Sequence, residues 1–166
     1  MEVPDSAGFL DYWNNIRART KRVIACIPPD RFEWTCREDG WTFADIIRHL
    51  GALERWMFAE NALRRPSRYA GCGRELADGP DEVLAYLDRM HEESVALIGS
   101  LSPEDLREHC VTPAGVRITV WKWLRAMVEH EVHHRGQIYL MLGMLGVATP
   151  PLYGLTSEEV RERSEG

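Results

Sequence analysis

Residues 126–142 read AMVEHEVHHRGQIYLML. How this stretch folds decides what the rest of the chain must be. Within it, His130-Glu131-Val132-His133-His134 matches H-E-x-x-H, a pattern that on a helix sets two imidazoles one turn apart for a zinc ion. From Thr119, a reasonable cap, to about Leu145 the chain is periodic and free of proline. Gly146 suits a C-terminal cap, and Pro150-Pro151 enforce the stop. On a helix, residues i and i+4 lie nearly above one another. The apolar stripe runs Val120, Leu124, Met127, then Ile138, Met141 and Leu145, and the positions that continue it through the middle are 130 or 131 and 134. His130 and His134 thus stand where leucines would otherwise be. A lone core histidine is usually just hydrogen-bonded. Two on one inward face would each cost roughly 1–3 kcal/mol if unpaired, and a divalent ion removes that cost. Metal ligation is therefore the expected role of the pair. His133 flanks the stripe and Arg135 and Gln137 follow on the polar side, so His133 and Glu131 are expected behind the ligands rather than among them.

Three further helical runs lie upstream. Ser6 to about Ile27 carries Phe9, Leu10, Trp13, Ile16, Val23 and Ile24 at spacings of three and four, and Pro28-Pro29 end it. In DGWTFADIIRHL, Thr42 is a plausible N-cap with Asp45 three residues on, and a helix with apolar Phe43, Ile46, Leu50, Leu53 and Met57 should last to about Arg65. After the glycine-rich PSRYAGCGRELADGP, a third helix starts near Pro80 and carries Val83, Leu84, Leu87, Met90, Val95 and Ile98. LSPEDL reads as its end and a short turn, while VRITV is either a short strand or the entry to the last helix. TSEEVRERSEG frays or forms a short terminal helix. Four amphipathic helices without convincing strand pairs point to an all-α four-helix bundle, a single domain over residues 1–166.

Composition narrows the function. Hydrophobic residues make up 45% and charged residues 28%, as in ordinary globular chains. A net charge of −6 with scattered Lys and Arg argues against nucleic acid. No run of apolar residues is long enough to span a membrane, and MEVPDSAGFLDYWNN lacks a basic-then-apolar leader, so a cytoplasmic protein is expected. Cys26, Cys36, Cys72 and Cys110 form no CxxC and read as reduced thiols, with Cys72 an ordinary loop cysteine lacking an adjacent base.

A metal needs another ligand. His49 lies at the inner edge of the second helix's apolar face and is the choice; His91, beside Glu92 and Glu93, is the alternative, and His109 sits in an apparent loop. A protease is disfavoured: after His134 the chain reads RGQIYLM with no later histidine, and Glu158 and Glu159 lie in the polar tail. Glu131 is then a supporting or bundle-edge carboxylate rather than a general base. Of the aromatics, Trp34, Trp56, Trp121 and Trp123 read as core or interface, Trp41 as a hydrophobic staple, and Tyr12 and Tyr139 as possible hydrogen-bonders near the site.

WTFADIIRHL, followed by HEVHHRGQIYLMLGMLGV and PPLYG, resembles the DinB/YfiT-like proteins over nearly the whole chain. The resemblance implies a four-helix bundle with a long crossover connection, usually a homodimer, and a divalent ion held by three histidines, here His49, His130 and His134. Some relatives resemble thiol-dependent S-transferases or isomerases that use a low-molecular-weight thiol such as bacillithiol or mycothiol; others are proposed hydrolases.

Three neutral imidazoles leave a divalent ion open positions, as in catalytic sites. Zinc leads, with nickel, manganese or iron as alternatives. The expected function is a metal-dependent thiol S-transferase; the alternatives are a metal-dependent hydrolase and a non-catalytic metal-binding stress-response protein.

Overall fold

The structure, a computed structural model, describes residues 3–165. Helix α1 (Ser6–Ile24) starts where the Asp5 carboxylate accepts from the Gly8 N–H at 2.7 Å. It stops three residues short of the expected Ile27, because the turn tightens into i,i+3 bonds from Cys26 and Ile27 before Pro28. Helix α2 (Phe43–Leu53) begins at the anticipated capping box: Asp45 N–H donates to Thr42 Oγ1 and Thr42 N–H to Asp45 Oδ2, both at 3.0 Å. The run continues toward Arg65 as expected, but not uniformly. Glu54–Ala59 form a π-helical segment, and only then does the short α3 (Glu60–Ala62) close the run. Helix α4 (Pro80–Gly99) has Pro80 in its first turn.

The next stretch corrects the all-helical expectation. LSPEDL contains a capped helix, α5 (Pro103–Arg107), and the ambiguous segment forms an antiparallel hairpin, β1 (His109–Val111) with β2 (Arg117–Thr119). Cys110 pairs with Ile118, and Gly115 takes the left-handed conformation (φ 79°) that closes the turn. His109 is therefore on a strand rather than a loop, and exposed. Helix α6 (Val120–Met144) begins at Thr119, whose side chain forms no cap bond. It ends in a Schellman turn, with Val147 N–H on Leu142 O and left-handed Gly146 N–H on Gly143 O, both at 3.0 Å. The tail forms exposed α7 (Ser157–Ser164). No described helix is long and apolar enough to cross a membrane.

Helices α1, α2–α3, α4 and α6 make a four-helix bundle: α1 and α2 each pack against both α4 and α6. Two apolar clusters fill it. One joins Val23 and Ile24, Phe43–Leu50, Val83–Met90 and Ile138–Leu142; the other joins Phe9–Ile16, Leu53–Ala62, Ile98 and Val120–Val128. The start of α1 thus shares an end of the bundle with the start of α6 and with the ends of α2–α3 and α4. Since α2 and α4 point the same way, residues 63–79 must run back along the bundle, and they form the long crossover.

Between the clusters each helix contributes buried polar groups. Arg17 of α1 bonds Glu54 at the start of the π segment and reaches both oxygens of Glu131 on α6 at 3.1 Å. Trp13 Nε1–H donates to Glu131 at 3.0 Å, and His91 of α4 lies 3.5 Å from Glu54. Burial would lower the Arg17 pKa, but the two carboxylates outweigh it and hold the guanidinium charged. Removing one partner strands buried charge. Arg17→Leu is therefore expected to cost about 3–5 kcal/mol in urea unfolding, with a loss below about 1 kcal/mol contradicting this role.

Candidate metal centre

His49 is reached two turns into α2, and His130 and His134 stand one turn apart on α6. The structure brings all three together. His130 Nε2 lies 3.1 Å from His49 Nε2 and 3.0 Å from His134 Nε2, and one ligand nitrogen from each ring falls within 4.8 Å of the others. His49 and His134 are 8% and 6% exposed, and His130 is half-buried.

The far sides of two rings are fixed. His49 Nδ1 meets the Tyr69 hydroxyl at 2.8 Å, and His134 Nδ1 meets Gln137 Oε1 at 2.7 Å. An amide oxygen only accepts, so His134 carries its proton on Nδ1 and turns a bare Nε2 lone pair inward. His130 Nε2 faces that lone pair and the His49 nitrogen together, and at most one ring proton serves those two contacts. Lone pairs pointed at one another call for a cation. Tetrahedral ligand nitrogens about 2.0–2.1 Å from zinc stand about 3.3 Å apart, close to the separations seen, so the residues fit a divalent ion. Burial, then the neighbouring His134 and His130, pull His49 down to about 3. Burial, then His134 and His133, pull His130 to about 4, and burial also lowers His134. All three are neutral, the state a metal ligand requires.

Other expected residues lie elsewhere. Glu131 does not support the triad: both of its oxygens are engaged by Trp13 and Arg17 on the α1 side. Arg135, expected on the polar side, is 3% exposed and reaches Ile16 O at 3.5 Å. His133 is exposed; its ring is 5.0 Å from His134, and its Nε2 accepts from the Gln137 amide at 3.2 Å. The alternative ligand His91 lies among Trp13, Asn14 and Glu54 instead. Trp41 is a wall of the site: its ring is 4.5 Å from His49 and stacks on His134 at 5.8 Å. Tyr139 bonds Pro150 O, and Tyr12 lines a separate groove beside Arg125. Tyr69 and Gln137 are supporting groups that sequence reasoning missed. Gln137 had a signal, one turn after His134; Tyr69, in the crossover, had none.

Beside the triad lies a cavity of about 460 Å³, walled by Trp41, Ile46, Leu140 and Met141 with Thr35, Cys36, Arg37, Gly40, Gln137 and His134. Among the described residues, no carboxylate lines it. Cys72 is partly buried, with its thiol beside Tyr69 and pushed up by burial.

An unfolded histidine protonates near 6.5, whereas folded His49 and His130 stay neutral to about 3 and 4. Between those limits the unfolded chain binds more protons. The metal-free protein should keep full stability from these groups above about pH 6.5 and lose it toward pH 4. Thermal melts in chelator between pH 7 and 5 should show this slope, and His49→Gln should reduce it. An unchanged slope would contradict the neutral triad.

Comparison with solved structures places the fold. A DinB-like protein from Bacillus subtilis superposes with a TM-score of 0.70 at 16% identity, covering 90% of this chain and 99% of that one. YfiT, also from Bacillus subtilis and described as "a probable metal-dependent hydrolase with an unusual four-helix bundle topology", gives 0.68 at 19% identity, covering 86% and 89%. A DinB-like protein from Bacillus cereus gives 0.67 at 15% identity, covering 87% and 95%. Comparison with curated proteins gave no match. The family model of the DinB superfamily matches residues 12–138, most of the chain, and this protein therefore belongs to the DinB superfamily.

Proposed function

We propose that the chain is a divalent-metal-dependent enzyme in which His49, His130 and His134 hold the ion, zinc first among the candidates, and a thiol attacks an electrophile in the adjacent cavity. The observation that carries this reading is the convergence of three neutral Nε2 atoms at a cavity wall. An ion held there supplies Lewis acidity that favours the deprotonated form of a thiol or water. The chain's own groups orient and enclose. Tyr69 and Gln137 fix the imidazoles from behind, and Trp41 covers their outer side. In the transfer, sulfur bonds to the electrophilic carbon, the leaving group departs with the bonding pair, and the thiol proton passes to solvent.

The cavity lining favours a thiol over water. Water attacking an ester or amide needs a nearby proton acceptor, the part that Glu plays in H-E-x-x-H proteases. Here that glutamate is bound into the core, and no described carboxylate lines the cavity. A thiol carries one acidic proton and needs no such base. The second reading, a hydrolase, draws on the description of YfiT.

Purified protein should contain about one equivalent of divalent metal by elemental analysis, and His130→Ala should lose it. Full metal in that variant would contradict the ligand set. Gln137→Ala should weaken metal binding about tenfold, as loss of an orienting partner does elsewhere. With cysteine or bacillithiol as the thiol and 1-chloro-2,4-dinitrobenzene as the electrophile, metal-dependent thioether formation is expected. Ester turnover without thiol would support the hydrolase instead, and metal without either activity would support a non-catalytic metal-binding role.

A further inference from the structure

The cavity beside the triad has a chemical bias of its own. Its wall is apolar at Trp41, Ile46, Leu140 and Met141, and Arg37 is the one ionised group that lines it among the described residues. Trp41 is 45% exposed and Leu140 68% exposed, a large apolar surface to leave in water beside a concave site. Arg37 is also exposed, and no carboxylate pairs with its guanidinium among the described residues. Glu38 and Asp39, in the same turn, are exposed and do not line the cavity.

The turn that presents Arg37 is built around one glycine. Gly40 N–H donates to Arg37 O at 3.1 Å, and the Thr35 hydroxyl donates to the same oxygen at 3.1 Å. A Cβ on Gly40 would meet Thr35 Oγ1 at 2.6 Å and Arg37 Cγ at 2.7 Å, so the arginine stem rests directly on the glycine. That packing sets the start of the Arg37 side chain at the rim, with Trp41 next to the glycine in the chain.

We propose that this cavity selects a small amphiphilic anion, with an apolar or aromatic body against Trp41, Ile46 and Met141 and an oxyanion such as a carboxylate on Arg37. The assignment rests on the proposed metal centre only in taking this cavity as the place where the substrate waits; the apolar wall and the arginine exist without the ion. Arg37 is then a specificity-determining residue, outside the set that touches the ion.

The test is isothermal titration with three probes of one shape: 1-naphthoate, 1-naphthalenemethanol and 1-naphthylmethylamine. Each is titrated into zinc-loaded protein and into chelator-treated protein. Naphthoate is expected to bind about tenfold more tightly than the alcohol, with the amine weakest. Arg37→Gln should remove the naphthoate advantage and leave the alcohol unchanged, and Trp41→Ala should weaken naphthoate and alcohol alike. Both positions are solvent-exposed, so the variants should fold, and circular dichroism checks that. An Arg37-dependent preference that persists in chelator supports the proposal even if the metal centre fails. A preference that needs zinc but ignores Arg37 overturns the proposal while leaving the metal centre intact. Equal binding of the three probes, or none, also overturns it.

Discussion

Three imidazole nitrogens that face one another inside a protein form an unstable arrangement unless something positive lies between them. Here the geometry is fixed from outside the triad. Gln137 holds the His134 proton on the far nitrogen, Tyr69 engages the far nitrogen of His49, and burial keeps the rings uncharged. The fold therefore confines electron pairs that water cannot readily solvate. That constraint explains why the polar layer sits where it does and why the helices around it need unusual features.

Helix α6 meets the demand with two interleaved i,i+4 pairs. His130 and His134 look toward α2 and the cavity; Glu131 and Arg135, one position on, look toward α1. One face serves the site and the other binds the bundle through Arg17 and Trp13. The π segment matters in the same way. An extra residue in a helical turn shifts the phase of the later turns, and π-bulges recur at functional sites. On α2 the segment starts at Glu54, so one helix presents His49 to the triad and Glu54 to Arg17. Trp13, Arg17, Glu54, His91 and Glu131 then tie all four bundle helices together at mid-height, between two apolar clusters.

Much of this is legible in the sequence, and the limits have physical causes. Periodicity and caps give the four long helices, since capping boxes and proline breaks are local signals; the Thr42–Asp45 box forms as anticipated. His130 and His134 are identifiable from their shared face, because i,i+4 spacing is a property of the helix alone. The third histidine is one of two candidates from the residues themselves, as relative helix rotation is not local information. Glu131 and Arg135 are misplaced when one apolar stripe is traced along a helix that is in fact buried on two sides. The π segment breaks the phase without any proline or glycine to mark it. The hairpin escapes notice because three-residue strands carry almost no pattern, and Tyr69 because its partner lies across the crossover.

Whether the three Nε2 atoms share one ion is tested most directly by extended X-ray absorption of the zinc-loaded protein. The prediction is about three imidazole nitrogens near 2.0–2.1 Å, with one imidazole fewer in His49→Ala. A spectrum dominated by sulfur or carboxylate ligands, or one unchanged when His49 is removed, would contradict it.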